Sequence, residues 1–352
     1  MIESTDFKID YSIRGTTLEL FQTFRPDVIE SFQSLVKTGA VELLGETYYN
    51  SLSWLYSKKE FTYQVKKHSL LVKGLFNIQP SVFRNAEFVF NNELARHVAA
   101  MGFNGIVCEG LDRLLNGNTL NQAYSSPGLE WFSLILRNRS RSDDIAFRFG
   151  ETSWNEYPLT VEKYASSVHR YTDSSNLTLF MDYETFGVHK KKDTGIFNFL
   201  ENLLVGILAD KTWAFRLPSE VLDICDPKAI YDVKETISWN DDKAASCVCC
   251  ENAMQNNMLK KVYSLETKVN YNGNNMELNW WRQLQSADHF YYMSKTDRFP
   301  QDAYGQQNPF ESPKAAYKNY LNIITDFELK LIHEGLSLFR GQQQNTINTS
   351  LN

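Results

Sequence analysis

Three short apolar runs in this chain each lead into an acidic residue, and stretches of helical character separate them. Val41-Glu42-Leu43-Leu44 leads to Glu46, Gly105-Ile106-Val107-Cys108 to Glu109, and Asn176 to Met181 to Asp182. An earlier segment, Phe7 to Ile13, alternates apolar and polar residues and reads as a further strand. Pro26 then opens a helix with Val28, Ile29, Phe32, Leu35 and Val36 on one face and Gly39 beyond it. Phe61 to Leu75 and Leu94 to Met101 carry the same helical spacing, while Phe88-Val89-Phe90 fits a short strand or the start of the next helix. Strand, helix, strand, helix is the order of parallel βα units, whose strands need such crossovers and whose ligands gather at the strands' carboxyl ends. Glu46, Glu109 and Asp182 are therefore expected on one face. The competing reading, that each acid caps the helix that follows, also fits the sequence.

The stretch Leu179-Phe180-Met181-Asp182-Tyr183-Glu184-Thr185-Phe186-Gly187-Val188-His189 is the densest in chemistry. On an extended chain Asp182 and Glu184 point the same way. Two neighbouring acids repel, so such a pair at a strand's end points to acid–base work or metal binding as readily as to a polar loop.

Composition narrows the class. With 43% hydrophobic and 22% charged residues the chain is that of a globular protein large enough for one big core or two ordinary ones. No run approaches the length a membrane helix requires, and the first residues lack the pattern of a signal peptide, so a cytoplasmic location and no membrane partner are expected. A net charge of −6 argues against nucleic acid as partner. Aromatic residues reach 14%, enough to supply sugar-stacking faces as well as a large aromatic core. Five cysteines, three of them at Cys247, Cys249 and Cys250, give neither a disulfide framework nor an ordinary zinc spacing. No metal and no cofactor are expected, and no dinucleotide or phosphate-loop motif occurs.

The pattern changes after about Gly206. Residues 1–205 read as the β/α part and 206–338 as its end plus a helical region. That region includes helices over Glu251–Leu265 and Ala315–Leu338. Residues 339–352, rich in Gln, Asn, Thr and Ser, read as a disordered tail. Before these two helices, Ile237 to Lys243 is short and polar.

From residue 7 to about residue 330 the chain resembles glycoside hydrolase family 57, in its α-amylase-like branch. The resemblance rests on Gly39-Ala40-Val41-Glu42-Leu43-Leu44 with Glu46-Thr47-Tyr48-Tyr49, on Gly105-Ile106-Val107-Cys108-Glu109-Gly110, and on Met181-Asp182-Tyr183-Glu184-Thr185-Phe186-Gly187. Supporting blocks are Phe83-Arg84-Asn85-Ala86-Glu87, Ser142 to Phe149 and Leu284 to Met293. The resemblance implies a distorted seven-stranded β/α barrel followed by a helical bundle. It implies an α-glucan or malto-oligosaccharide substrate, a retaining mechanism, Glu109 as nucleophile and Asp182 as general acid/base. Asp182 is then expected to be held protonated by its apolar strand and the neighbouring acid. Sugar contacts are assigned to Glu42, Glu46, Tyr48, Trp154, Glu184, His189, Trp239 and Asp288.

Two departures stand against full activity. Nothing before Phe7 resembles the family's first strand and its His-Gln-Pro motif, so the barrel is expected to be incomplete. After Ser238-Trp239 the chain has Ala244, Ala245 and Cys249 where the family shows an Arg-Asp pair and a Trp, and Asn50 replaces a common histidine. A weakly active or inactive homologue that binds glucan is therefore the alternative to an enzyme. A metal-dependent hydrolase on a related barrel fits less well, because the six histidines, at 68, 97, 169, 189, 289 and 333, are scattered.

Overall fold

The computed structural model describes residues 6–239, 248–294 and 308–350. It divides into two compact units. Among the described residues, one comprises 6–48 and 64–239, and the other 49–63, 248–294 and 308–350. Residues 206–239 thus group with the β/α unit. Residues 240–247, which include Ala244 and Ala245 of the altered stretch, lie outside the described residues.

The first unit is built on parallel strands. β1 (Ile9–Tyr11) pairs with β2 (Val41–Leu43), and two helices between them, α1 (Gly15–Phe24) and α2 (Pro26–Lys37), make the crossover. Leu18, Ile29 and Leu43 bury one apolar seam with Val72 and Phe76 of α3 (Lys58–Phe76). A single parallel bridge from Gly45 to Phe83 carries β2 onward to β3 (Val82–Arg84). α4 (Asn92–Ala100), capped where the Asn91 side chain accepts from the Leu94 amide at 2.9 Å, leads to β4 (Gly105–Glu109). All five residues of β4 are buried, as expected of a parallel strand covered on both faces. β4 pairs with β3 on one side and with β6 (Leu129–Arg137) on the other.

The region after β4 departs from the simple alternation. β5 (Ala123–Ser126) turns back at Gly128, which takes φ +74°, and lies antiparallel to β6. α5 (Arg139–Ala146) and α6 (Val161–His169) follow. α7 (Ile196–Leu208) buries Phe199 and Leu203 in one cluster with Ile145, Tyr164 and Val168. After α8 (Pro218–Ile224), β7 (Ala229–Ile230) adds to β5, giving the order β3-β4-β6-β5-β7.

The strand expected over Asn176–Met181 does not form a ladder. Only Thr178 bridges, in parallel, to Arg137. The reason is local, because side chains and the end of β6 take up its polar groups. Asn138 donates its amide to the Thr178 carbonyl at 2.8 Å, the Ser142 hydroxyl accepts from the Phe180 amide at 3.1 Å, and Arg137 Nε donates to the Phe180 carbonyl at 2.7 Å.

The second unit is helical: α9 (Ala253–Ser264), α10 (Glu266–Asn272), α11 (Asn275–Gln283), α12 (Ala287–Tyr291) and α13 (Pro313–Ser350). Trp281 is fully buried and donates its indole N–H to the Val262 carbonyl at 2.7 Å. Lys261 and Lys268 both grip Glu328, at 2.7 and 2.6 Å. Residues 339–350, read above as a tail, continue the α13 backbone, which holds no proline after Pro313. Among the described residues no helix is long and apolar enough to cross a membrane.

Side-chain alternation along the registered strands sorts one sheet face into layers. Leu44, Val82, Val107 and Ile135 form an apolar layer joined by Phe88. One step further toward the carboxyl ends stand Glu46, Arg84, Glu109 and Arg137. The bridge from Gly45 to Phe83 sets Glu46 beside Arg84, and Glu109 is registered against Arg137.

Gly45 is the tight point of this arrangement. A Cβ there would lie 2.5 Å from the Phe103 ring, which is buried and already packed edge-on against Phe83. Gly45→Ala is expected to cost about 1–3 kcal/mol through overpacking, read as a lowered thermal midpoint. Gly74→Ala, within α3 and with open space around its Cβ, is expected to gain about 0.5–1 kcal/mol from helix propensity. Equal losses in both variants would contradict this account.

Candidate active site

Glu109 ends β4 with no exposed surface. Its carboxylate accepts from Arg137 Nη1, with both oxygens at 3.3 Å. Tyr231 fixes the backbone here: its hydroxyl donates to the Glu109 carbonyl at 3.0 Å and accepts from the Leu111 amide at 3.0 Å. Burial pushes the Glu109 carboxyl up to about 7, against the downward pull of Arg137 and Arg139, with Asp143 adding to the rise. The carboxyl is thus poised where proton gain and loss are both accessible near neutrality.

Arg137 carries the rest of the local architecture. Besides Glu109 it reaches Asp143 Oδ1 through Nη2 at 2.5 Å and the Phe180 carbonyl through Nε at 2.7 Å. Phe180 lies two residues before Asp182, so one guanidinium ties the Glu109 strand to the segment that carries the second predicted acid. Asp182 is exposed, and its carbonyl accepts from the Thr185 amide at 3.0 Å as the turn Tyr183–Thr185 begins. The Asn176–Met181 segment before it forms no ladder and the turn follows directly, so Asp182 ends an irregular segment rather than a strand. Tyr183, 68% exposed, meets the Tyr11 ring edge-on at 5.7 Å.

Glu46 lies on the same face, 2% exposed. Arg84 Nη1 donates to its Oε2 at 3.5 Å, while Oε1 has no hydrogen-bond partner and lies 4.0 Å from His68 Nε2. His68 is held neutral by burial, which lowers its pKa. A single tautomer then satisfies its ring: Nε2–H donates to the Ile13 carbonyl at 2.9 Å and Nδ1 accepts from the Glu46 amide at 3.4 Å. The Arg84 guanidinium lies 5.1 Å from the Phe88 ring centroid and 5.5 Å from that of Phe180. Glu87 and Phe88 both take positive φ, 54° and 50°, a strained turn for side chains of that size. Trp239 supports it by donating its indole N–H to Glu87 at 2.8 Å.

The remaining predicted sugar contacts are placed less centrally. Glu42 accepts from the Ser219 amide at 2.9 Å and the Ser81 hydroxyl at 3.4 Å. The fully buried Leu44 separates it in sequence from Glu46 on the shared face. Tyr48 is buried over Gly15, with the Lys67 ammonium 3.7 Å from its ring centroid. Trp154 packs against the Phe149–Phe199 cluster. Glu184 is exposed and 3.7 Å from His189. Asp288, which accepts from the Ser286 hydroxyl at 3.1 Å, belongs to the helical unit. Sequence reasoning missed Arg137 as a site residue, although it ends an apolar run just as Glu109 does. It quoted Arg84 and Glu87 without a role.

Comparison with known proteins identifies the family of the chain. The profile of glycosyl hydrolase family 57 matches residues 2–234. A Methanocaldococcus jannaschii protein named "Putative alpha-amylase" is 36% identical over 339 residues, 93% of this chain and 72% of that protein. Among solved structures, the 4-alpha-glucanotransferase of Thermococcus litoralis shares the fold at a TM-score of 0.67 and 16% identity. The match covers 81% of this chain and 49% of that one. A family 57 branching enzyme of Thermococcus kodakaraensis follows at a TM-score of 0.63 and 14% identity, over 90% of this chain and 71% of that one. This chain therefore spans about half of the glucanotransferase and nearly three quarters of the archaeal relative. With two thirds of its length matched by the family profile and a 36% identical relative, the chain is a member of glycosyl hydrolase family 57.

Proposed function

We propose that this chain is a retaining α-amylase-like glycoside hydrolase acting on α-1,4-glucans, with Glu109 as nucleophile and Asp182 as general acid/base. The observation that carries this is the buried Glu109 at a strand's carboxyl end, coupled through Arg137 to the segment entering Asp182. The names of the relatives, alpha-amylase, 4-alpha-glucanotransferase and branching enzyme, support an α-glucan substrate.

A retaining enzyme holds its two carboxyl groups about 5–5.5 Å apart across the scissile bond. The ionised Glu109 attacks the anomeric carbon. A glycosyl ester forms as the bond to the leaving oxygen breaks, and Asp182 gives that oxygen its proton. Asp182, now a carboxylate, takes a proton from water, whose oxygen attacks the same carbon and frees Glu109. The exposure of Asp182 suits a group that must exchange protons with an incoming water. The unpartnered Glu46 Oε1 beside Arg84 suits a sugar hydroxyl as hydrogen-bond donor.

Reducing-sugar release from maltoheptaose is expected to fall by about 10³-fold in both Glu109→Gln and Asp182→Asn, with the product anomer retained in the wild-type protein. Activity should climb with pH through about 7, because only ionised Glu109 attacks. Equal background in all three proteins would leave a glucan-binding homologue without turnover. The same carboxyl also governs stability. Its folded value of about 7 lies above its ordinary 4.5, so its contribution is fully present below about pH 4.5 and is lost as pH rises through 7. Relative to Glu109→Gln, the wild-type protein should therefore lose roughly 2–3 kcal/mol between pH 5 and 8, read by urea denaturation at both pH values. Parallel pH dependences in the two proteins would show that Glu109 is ionised throughout.

A further inference from the structure

The contacts of Arg137 are unequal. Its tightest partner is Asp143 at 2.5 Å, then the Phe180 carbonyl at 2.7 Å, and the two Glu109 oxygens are looser at 3.3 Å. Arg137 is 4% exposed and Glu109 fully buried, so water screens neither charge. Register makes the pairing unavoidable, since Arg137 stands directly opposite Glu109 in the β4–β6 ladder and bridges Thr178 on its other side.

We propose that Arg137 is the positioning residue of this site, holding the Glu109 and Asp182 segments in one register, and that Asp143 sets how much of its charge reaches Glu109. This rests on the assignment of Glu109 as nucleophile. A nucleophile locked in a tight bidentate pair with arginine would be ionised but weakened. Without the arginine it would stay protonated in its buried surroundings. Asp143 draws the guanidinium away from Glu109 and leaves the nucleophile between these limits. Among the other groups facing Glu109, Arg139 adds to the downward pull and is itself held by Asp143 at 3.5 Å, so Asp143 restrains both cations. The Cys108 thiol is kept protonated by burial, and the Tyr231 hydroxyl is spent on the Glu109 carbonyl.

The test uses the full chain with Asp143→Asn, Arg137→Lys and Arg137→Met. Two readouts are taken: the pH profile of kcat/KM on maltoheptaose, and ¹³C titration of the Glu109 carboxyl, assigned by its loss in Glu109→Gln. In Asp143→Asn the midpoint is expected to fall by about one pH unit, because Arg137 turns wholly to Glu109. In Arg137→Met it should rise by about one unit or more. Arg137→Lys keeps the charge but not the fork to the Phe180 carbonyl. It should hold the midpoint near that of the wild-type protein while kcat falls at least tenfold. Unchanged midpoints in Asp143→Asn and Arg137→Lys together with unchanged kcat would overturn the proposal, and so would an upward shift in Asp143→Asn. Those two variants decide the matter if Arg137→Met fails to fold. The carboxyl titration needs no turnover, so an inactive wild-type protein would sink the enzymatic reading while leaving this one decided on its own evidence.

Discussion

A buried carboxylate opposite a buried arginine, Glu109 against Arg137, is the constraint around which the first unit is arranged. Desolvating two charges costs several kcal/mol each, and one pair at 3.3 Å does not return all of that. The deficit explains why Arg137 has further partners. Asp143 and the Phe180 carbonyl engage its Nη2 and Nε, and in doing so they tie α5 and the 176–181 segment to the end of β6. A hydrophobic pair at these positions would stabilise the sheet as well or better. Ions at these positions accord with the proposed role of Glu109 at the strand ends.

The legible part of this fold was the part governed by period. β4 is a continuous apolar run ended by an acid, and the structure has it over the residues the sequence indicates, Gly105–Glu109. α2 was legible because Pro26 and the apolar spacing act within one element. The β5–β6 hairpin escaped notice because β6 is apolar over much of its length, and only tertiary pairing shows it to be a long strand next to β4. The segment 176–181 misled in the opposite direction. Its sequence has the character of a strand, but its amide and carbonyl groups are met by Ser142 and Arg137, so no ladder grows.

The site was half legible for a related reason. Acids at strand ends can be read from order alone, and Glu46 and Glu109 do share a face. The cations that face them cannot, because what makes Arg84 and Arg137 part of the site is cross-strand register, the Gly45–Phe83 bridge in one case and the β4–β6 ladder in the other. His68 is more hidden still. It sits in mid-helix, and its involvement shows in a neutral ring that spans the Ile13 carbonyl and the Glu46 amide.

Asp10 shows why a displaced carboxyl is not by itself a mark of chemistry. Burial, with the charge of Glu42 opposite it in the β1–β2 pair, raises Asp10 to about 7, the same value that Glu109 reaches. The two differ in what surrounds them. Glu42 spends its oxygens on the Ser219 amide and the Ser81 hydroxyl, which makes it a fastener between β2 and the start of α8. For Asp10 both burial and the facing Glu42 charge favour the protonated form, which suits a structural element rather than a reacting one. Glu109 instead faces an arginine whose charge is divided with Asp143, so neither protonation state is strongly preferred. On the proposed reading, it is the balance between desolvation and a shared cation, rather than the raised value itself, that prepares Glu109 to react.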